Sequence, residues 1–171
     1  KEFNIDLNKA KYFAGHSLGE YSALTASGSI NFSSTLKLLQ KRGKAMQSAV
    51  PKSEGGMLAI LGEPIENINE LFKNNIGKFE CYVANDNSNG QIVVSGKNKD
   101  LEILMDELKK KSIKNIKLPV SAPFHCKLMK PATLIMQNEI LKAEFKDSSN
   151  LIISNVTGKE VKKYEEIKDL L

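Results

Sequence analysis

The stretch YFAGHSLGEYSAL, residues 12–24, contains Gly15-His16-Ser17-Leu18-Gly19, a serine with a glycine two positions to either side. Residues 11–14 read as the end of a short strand and residues 19–26 as a helix, which puts Ser17 at the turn between them. Strand, tight turn and helix form the setting in which a G-x-S-x-G elbow presents a serine hydroxyl above a helix N-terminus. The flanking glycines are expected to relieve crowding at the turn, and the N–H of Leu18 to point at a developing oxyanion. The same pattern also suits an ordinary serine in a Gly-rich turn, so the rest of the chain must decide.

Downstream, NFSSTLKLLQKRGKAMQSAVP begins with the capping residues Asn31 and Ser33 and stops before Pro51, which predicts one long helix. MLAIL (57–61) then predicts a buried strand, and residues 64–75 a helix. FECYVAN (79–85) and QIVVSG (91–96) predict two strands joined by the turn-forming DNSNG. Leu101, Leu104, Met105 and Leu108 recur at helical spacing within residues 98–112, and NIKLPV (115–120) predicts a last strand. That order, βαββαβ, is the ferredoxin-like pattern. The expected fold class is therefore α/β. Residues 56–120 form a small ferredoxin-like lobe, set within a larger lobe made of residues 1–55 and 121–171. After the insert come the loop PVSAPFHCKLMKP, a helix over 131–142, LIISNVTGK as strand and turn, and a short helix over 164–171.

Composition bounds the function. The chain has 171 residues, 41% hydrophobic and 26% charged, which fits a globular protein rather than a disordered one. No apolar run approaches the roughly 20 residues of a membrane span, and KEFNIDLNKAKYF at the start is too polar for a signal peptide. The net charge is +5, which suits an acidic partner or a solvated lysine-rich surface. Aromatics are few and no nucleic-acid-binding module is recognisable. Cys81 and Cys126 lack CxxC or Cys/His ligand spacing, which argues against a disulfide scaffold or a zinc site and fits a reducing compartment.

A serine nucleophile needs a base, usually histidine. The chain offers two, His16 and His125. His16 adjoins Ser17 and would need an unusual geometry, so it reads as structural support. His125, in a Pro-bracketed loop, is the candidate base. Among 25 cationic residues only Arg42 is an arginine. Projected at 100° per residue, residues 36–50 place Lys37, Gln40, Lys41, Lys44, Gln47 and Ser48 on one arc. Leu38, Leu39, Ala45, Met46, Ala49 and Val50 fill the other, with Arg42 in their midst. A guanidinium there needs a partner, either an internal carboxylate or a ligand's, and its fork suits two-pronged recognition. Glu20 reads as a first-turn acid favoured by the helix dipole, and Cys126 as an incidental thiol.

GHSLGEYSAL, KRGKAMQSAVP, VANDNSNGQIVVSG and PVSAPFHCKLMKP, in this order and spacing, resemble the malonyl-CoA:acyl carrier protein transacylases. Related acyltransferase domains occur in fatty-acid and polyketide synthases. The resemblance runs from about residue 12 to residue 158. It implies an α/β-hydrolase-like large lobe, incomplete here, with a ferredoxin-like small lobe. It further implies Ser17 as acyl-carrying nucleophile, His125 as its base, Arg42 as the grip on the malonyl carboxylate, and Leu18 as an oxyanion donor. Met46 would line the pocket, and Phe124, a bulky residue before the histidine, favours malonyl over branched acyl groups.

The implied reaction moves a malonyl group from malonyl-CoA to the phosphopantetheine thiol of an acidic acyl carrier protein, by ping-pong steps through a malonyl-serine. It requires no cofactor and no metal, and the expected setting is a cytoplasmic monomer with neither nucleic acid nor membrane as partner. Family members carry an upstream Gly-Gln-Gly-rich segment and a downstream glutamine that this sequence lacks, so an internal fragment is expected. Three alternatives stay open: a serine hydrolase or thioesterase using Ser17 and His125, a catalytically incomplete fragment that only binds the carrier protein, and an acyltransferase domain cut from a multidomain synthase.

Overall fold

The computed structural model describes residues 6–51 and 53–171, so residues 1–5 and 52 of the expected large lobe lie outside the described residues. In chain order the elements are β1 (Tyr12–Phe13), α1 (Leu18–Ala26), α2 (Phe32–Ser48), β2 (Gly55–Leu61), α3 (Ile65–Asn74), β3 (Cys81–Ser88) and β4 (Gln91–Lys97). They continue with α4 (Asn98–Lys110), β5 (Lys114–Lys117), α5 (Lys130–Lys142), β6 (Leu151–Ile153), β7 (Glu160–Val161) and α6 (Tyr164–Leu170). The chain divides into two compact units, Lys1–Gly43 with Ile135–Leu171, and Lys44–Leu134. Among the described residues no helix is long and apolar enough to cross a membrane.

The second unit is the βαββαβ arrangement the strand order predicted, an antiparallel sheet in the order β3-β4-β2-β5. Its two central strands are the most apolar, because strands paired on both sides are the ones covered. Leu58 opposes Val94 and Ile60 opposes Ile92, and all four side chains are fully buried. They share one core with Ile68 and Leu71 of α3 and Leu101, Leu104 and Leu108 of α4. Met105, expected on the same face, is half-buried.

The edge strands depart from the sequence reading. β3 begins at Cys81 and runs on through Asp86 to Ser88, so the turn shrinks from DNSNG to Asn89 and Gly90, with Gly90 at φ 83°. Two register shifts, at Val83/Asn85 and Asp86/Ser88, absorb the polar residues at this edge, a usual place for bulges. Phe79 precedes the strand instead and meets Phe72 edge-on, with centroids 5.6 Å apart. β5 is shorter than expected. The Leu118 N–H still donates to the Met57 carbonyl at 2.9 Å, but Pro119 has no N–H with which to extend the ladder.

In the first unit β1 pairs in parallel with β6, Tyr12 opposite Leu151 and Phe13 opposite Ile152, and β7 pairs antiparallel with β6. Its core joins Tyr21 and Leu24 of α1, Ile30, Leu38 of α2, Met136 and Ile140 of α5, Ile152, Val161 and Ile167. The Asn31 side chain caps α2 by accepting from the Ser34 N–H at 2.9 Å. Along α2 the projected polar arc is exposed at all six positions, and Leu38, Ala45 and Val50 on the opposite arc are buried.

Candidate active site

β1 stops at Phe13 and the chain turns sharply into α1. Ser17 occupies the turn at φ 52°, ψ −108°, outside the regions a serine ordinarily adopts. The sequence permits this at one glycine only. A Cβ on Gly15 would fall 2.0 Å from the Gly19 carbonyl oxygen, whereas one on Gly19 would meet nothing within 4 Å. The expectation that both glycines relieve crowding is corrected accordingly: Gly15 carries the turn. The Gly19 N–H donates to the His16 carbonyl at 2.8 Å and the Glu20 N–H to the Ser17 carbonyl at 3.1 Å. Leu18 opens α1, so its N–H is one of the first-turn amides that an α-helix leaves without an intrahelical acceptor.

The Ser17 hydroxyl does not cap α1. It accepts a hydrogen bond from Nη2 of Arg42 at 2.9 Å. Arg42 is half-buried, and its guanidinium also lies over the Tyr21 ring, 5.9 Å from the centroid. Among the described residues it pairs with no carboxylate. Of the two partners foreseen for it, the internal acid is therefore not the one used. Burial pushes the Tyr21 phenol up, against the pull of Arg42.

The sequence reading missed Asn155. Its Oδ1 accepts from the Ser17 N–H at 2.9 Å, its Nδ2 donates to the Gly15 carbonyl at 2.7 Å, and its own N–H donates to Glu20 Oε1 at 3.2 Å. Glu20 is thus more than a first-turn acid. It is 8% exposed, and burial pushes its carboxyl up while the bonds from Asn155 pull it back. In sequence, Asn155 looks like any turn former in SNVTG.

The remaining candidates belong to the second unit. His125 is exposed and sits at φ 56°, in the left-handed region. The loop around it is fixed locally: the Cys126 thiol donates to the Pro123 carbonyl at 3.1 Å, and the Ser121 hydroxyl to Gln47 Oε1 at 2.9 Å. Gly55 leaves room for Pro123, whose ring a Cβ there would approach to 2.4 Å. Phe124 and Met46 are half-buried. Burial pushes the Cys126 thiol up and that of Cys81 up to about 12, so both are neutral thiols at neutral pH. Among the described residues no group of three His, Cys, Asp or Glu side chains is placed to hold a metal ion.

The acyl transferase domain family matches residues 8–167. The malonyl CoA-acyl carrier protein transacylase of Bacillus subtilis strain 168 is 39% identical over 162 residues, which cover 94% of this chain and 51% of that protein. The crystal structure of an acyl-carrier-protein-S-malonyltransferase from Bartonella henselae superposes with a TM-score of 0.93 at 38% identity, covering 99% of this chain and 55% of that one. A structure of a type II PKS acyl-carrier protein in complex with its malonyl-transacylase gives a TM-score of 0.89 at 37% identity, with 95% and 53% covered. The chain spans about half the length of these relatives. With its elbow at Ser17 and its βαββαβ unit, it belongs to the acyl transferase domain family.

Proposed function

We propose that this chain carries the nucleophile, carboxylate clamp and general base of a malonyl-CoA:acyl carrier protein transacylase. The observation that supports this best is Arg42 Nη2 at 2.9 Å from Ser17 Oγ. In a malonyl ester of Ser17 the free carboxylate stands on the second carbon beyond Oγ's own carbonyl carbon, within reach of a guanidinium that already touches Oγ. A simple serine hydrolase has no use for a fixed cation at that point.

In this reading His125 takes the Ser17 proton as Oγ attacks the thioester carbonyl of malonyl-CoA. The Leu18 N–H stabilises the oxyanion. The tetrahedral intermediate collapses, the C–S bond breaks, and His125 returns the proton to the departing CoA sulfur. The phosphopantetheine thiol of an acyl carrier protein then attacks the malonyl-serine ester with His125 as base, and Ser17 recovers its proton. Met46 and Phe124 line the acyl pocket. The βαββαβ unit is the small lobe and the first unit the large one. The similar transacylase solved with its acyl-carrier protein supports the choice of partner, and the net charge of +5 suits an acidic one. The reaction needs no cofactor and is assigned to a cytoplasmic monomer.

Intact-mass spectrometry after brief exposure to malonyl-CoA, beside acetyl-CoA and a Ser17→Ala control, tests this. The expected result is a malonyl adduct that disappears in Ser17→Ala. A folded chain that takes no adduct would support the alternative of a carrier-binding piece without catalysis.

A further inference from the structure

The left-handed backbone of Ser17, at φ 52°, is strained and persists only where its surroundings over-determine it. The elbow supplies part of that constraint through its own helix and through Gly15. A further part comes from the side chain of Asn155, 138 positions away in sequence.

The topology explains why an amide is needed there. β1 and β6 run parallel and in register only at Tyr12↔Leu151 and Phe13↔Ile152. Beyond these pairs the two chains part, β1 into the elbow and β6 into the turn at 154–159. An elbow that leaves the sheet abandons backbone groups that a longer ladder would have paired and so held in place. Asn155 lies two residues past the end of β6 and replaces the ladder with its side chain, which presents an acceptor to the Ser17 N–H and a donor to the Gly15 carbonyl. Its backbone N–H meanwhile holds Glu20 in the first turn of α1. One residue therefore grips the strand end, the nucleophile and the helix start.

Asn155 is itself held. Ser154 is buried, its N–H donates to the Lys159 carbonyl at 3.0 Å, and its carbonyl accepts from the Gly158 N–H at 2.9 Å. The Val156 N–H donates to Ser154 Oγ at 3.2 Å. The turn behind the amide is closed on three sides, so the constraint on Ser17 is referred back to the sheet.

We propose that Asn155 is the positioning residue of the nucleophile: it holds Ser17 Oγ in the orientation that meets Arg42 and the donor thioester, and it takes no part in bond making. This rests on the reading of Ser17 as the acylated residue.

The test is single-turnover acylation by malonyl-CoA, followed by intact mass, in the wild-type chain, Asn155→Ala and Asn155→Asp. Amide hydrogen exchange at Ser17 is measured in parallel. A displacement of about 1 Å in a reacting group costs on the order of 100-fold in rate, so Asn155→Ala is expected to acylate about that much more slowly while still reaching full labelling. Asn155→Asp keeps the acceptor for the Ser17 N–H and loses the donor to Gly15, and its expected loss is smaller. Exchange at Ser17 should accelerate in Asn155→Ala. A folded variant that labels at the wild-type rate overturns the proposal. A reduced labelled fraction at an unchanged rate does the same, since that is the signature of lost fold, not lost position. Unchanged Ser17 exchange in Asn155→Ala overturns the clamp whatever the label does. Absence of label on the folded wild-type chain instead overturns the reading on which the proposal rests, that this chain is acylated at Ser17.

Discussion

The hydroxyl of Ser95, at 0% exposure in the middle of β4, donates to the Phe124 carbonyl at 2.5 Å, one residue before His125. A central strand of the antiparallel sheet thereby fixes the backbone on which the left-handed histidine stands. Ser95→Ala removes the donor and leaves that carbonyl unpaired, at an expected cost of ~1–3 kcal/mol. Urea unfolding of the variant beside the wild type measures it. An unchanged midpoint would show that the loop is held without this bond.

The two glycines of the elbow should respond in opposite directions. Gly15→Ala forces a methyl to within 2.0 Å of the Gly19 carbonyl oxygen, so the turn must open or the chain lose its fold. Gly19→Ala meets nothing within 4 Å and lies inside α1, where Ala is favoured over Gly by roughly 0.5–1 kcal/mol. Thermal melts of the pair should therefore bracket the wild type, with Gly19→Ala above it.

Under the proposed function, Arg42 should separate donors by charge. Arg42→Ala is expected to lower acylation by malonyl-CoA on the order of 100-fold while changing acetyl-CoA little, because only the malonyl group carries a carboxylate to grip. Arg42→Lys should restore only part of the preference, since an ammonium cannot offer the fork. Initial rates with the two donors decide. Equal losses for both would assign Arg42 to the hydroxyl of Ser17 alone.

Glu20 carries a pH signature. Burial holds its folded-state value above the ordinary 4.5, so between those two values the folded chain binds more protons than the unfolded one. Its contribution to stability is accordingly full below pH 4.5 and is lost as pH rises through the folded value. Glu20→Gln can still accept from the Asn155 N–H and has no charge to bury. The stability of Glu20→Gln relative to wild type should rise with pH across that window and then level off, as followed by urea midpoints from acid to neutral pH. A difference independent of pH would show that Glu20 is ionised and solvated in the fold.

The turn at Ser17 and the half-buried place of Arg42 on α2 were legible because each is a local pattern: a turn flanked by glycines, and a cation on the apolar arc of a 3.6-residue period. The βαββαβ unit was legible for the same reason, since its core positions repeat at periods of two and of three to four. Asn155 was not. Its role depends on the parallel pairing of β1 with β6, segments about 140 residues apart, and nothing in SNVTG sets it apart from a surface turn. The limits of β3 were misread because two bulges let Asp86 and Ser88 stay in the ladder, where composition alone predicts a turn. The redundancy of Gly19 was equally hidden, since a spacing pattern does not reveal which of its glycines is crowded.

Ser17 stands where a helix would normally take a cap, yet its hydroxyl makes no capping hydrogen bond to α1. Capping by serine contributes about 0.5–2 kcal/mol, and α1 forgoes it. What remains is a helix end whose one first-turn acid, Glu20, is buried and bonded by the Asn155 N–H, not by a cap. Such an end favours negative charge. The start of α1 is thus kept slightly less stable at rest, and under the proposed function charge that develops on an acyl oxygen at Ser17 meets a dipole already oriented to receive it.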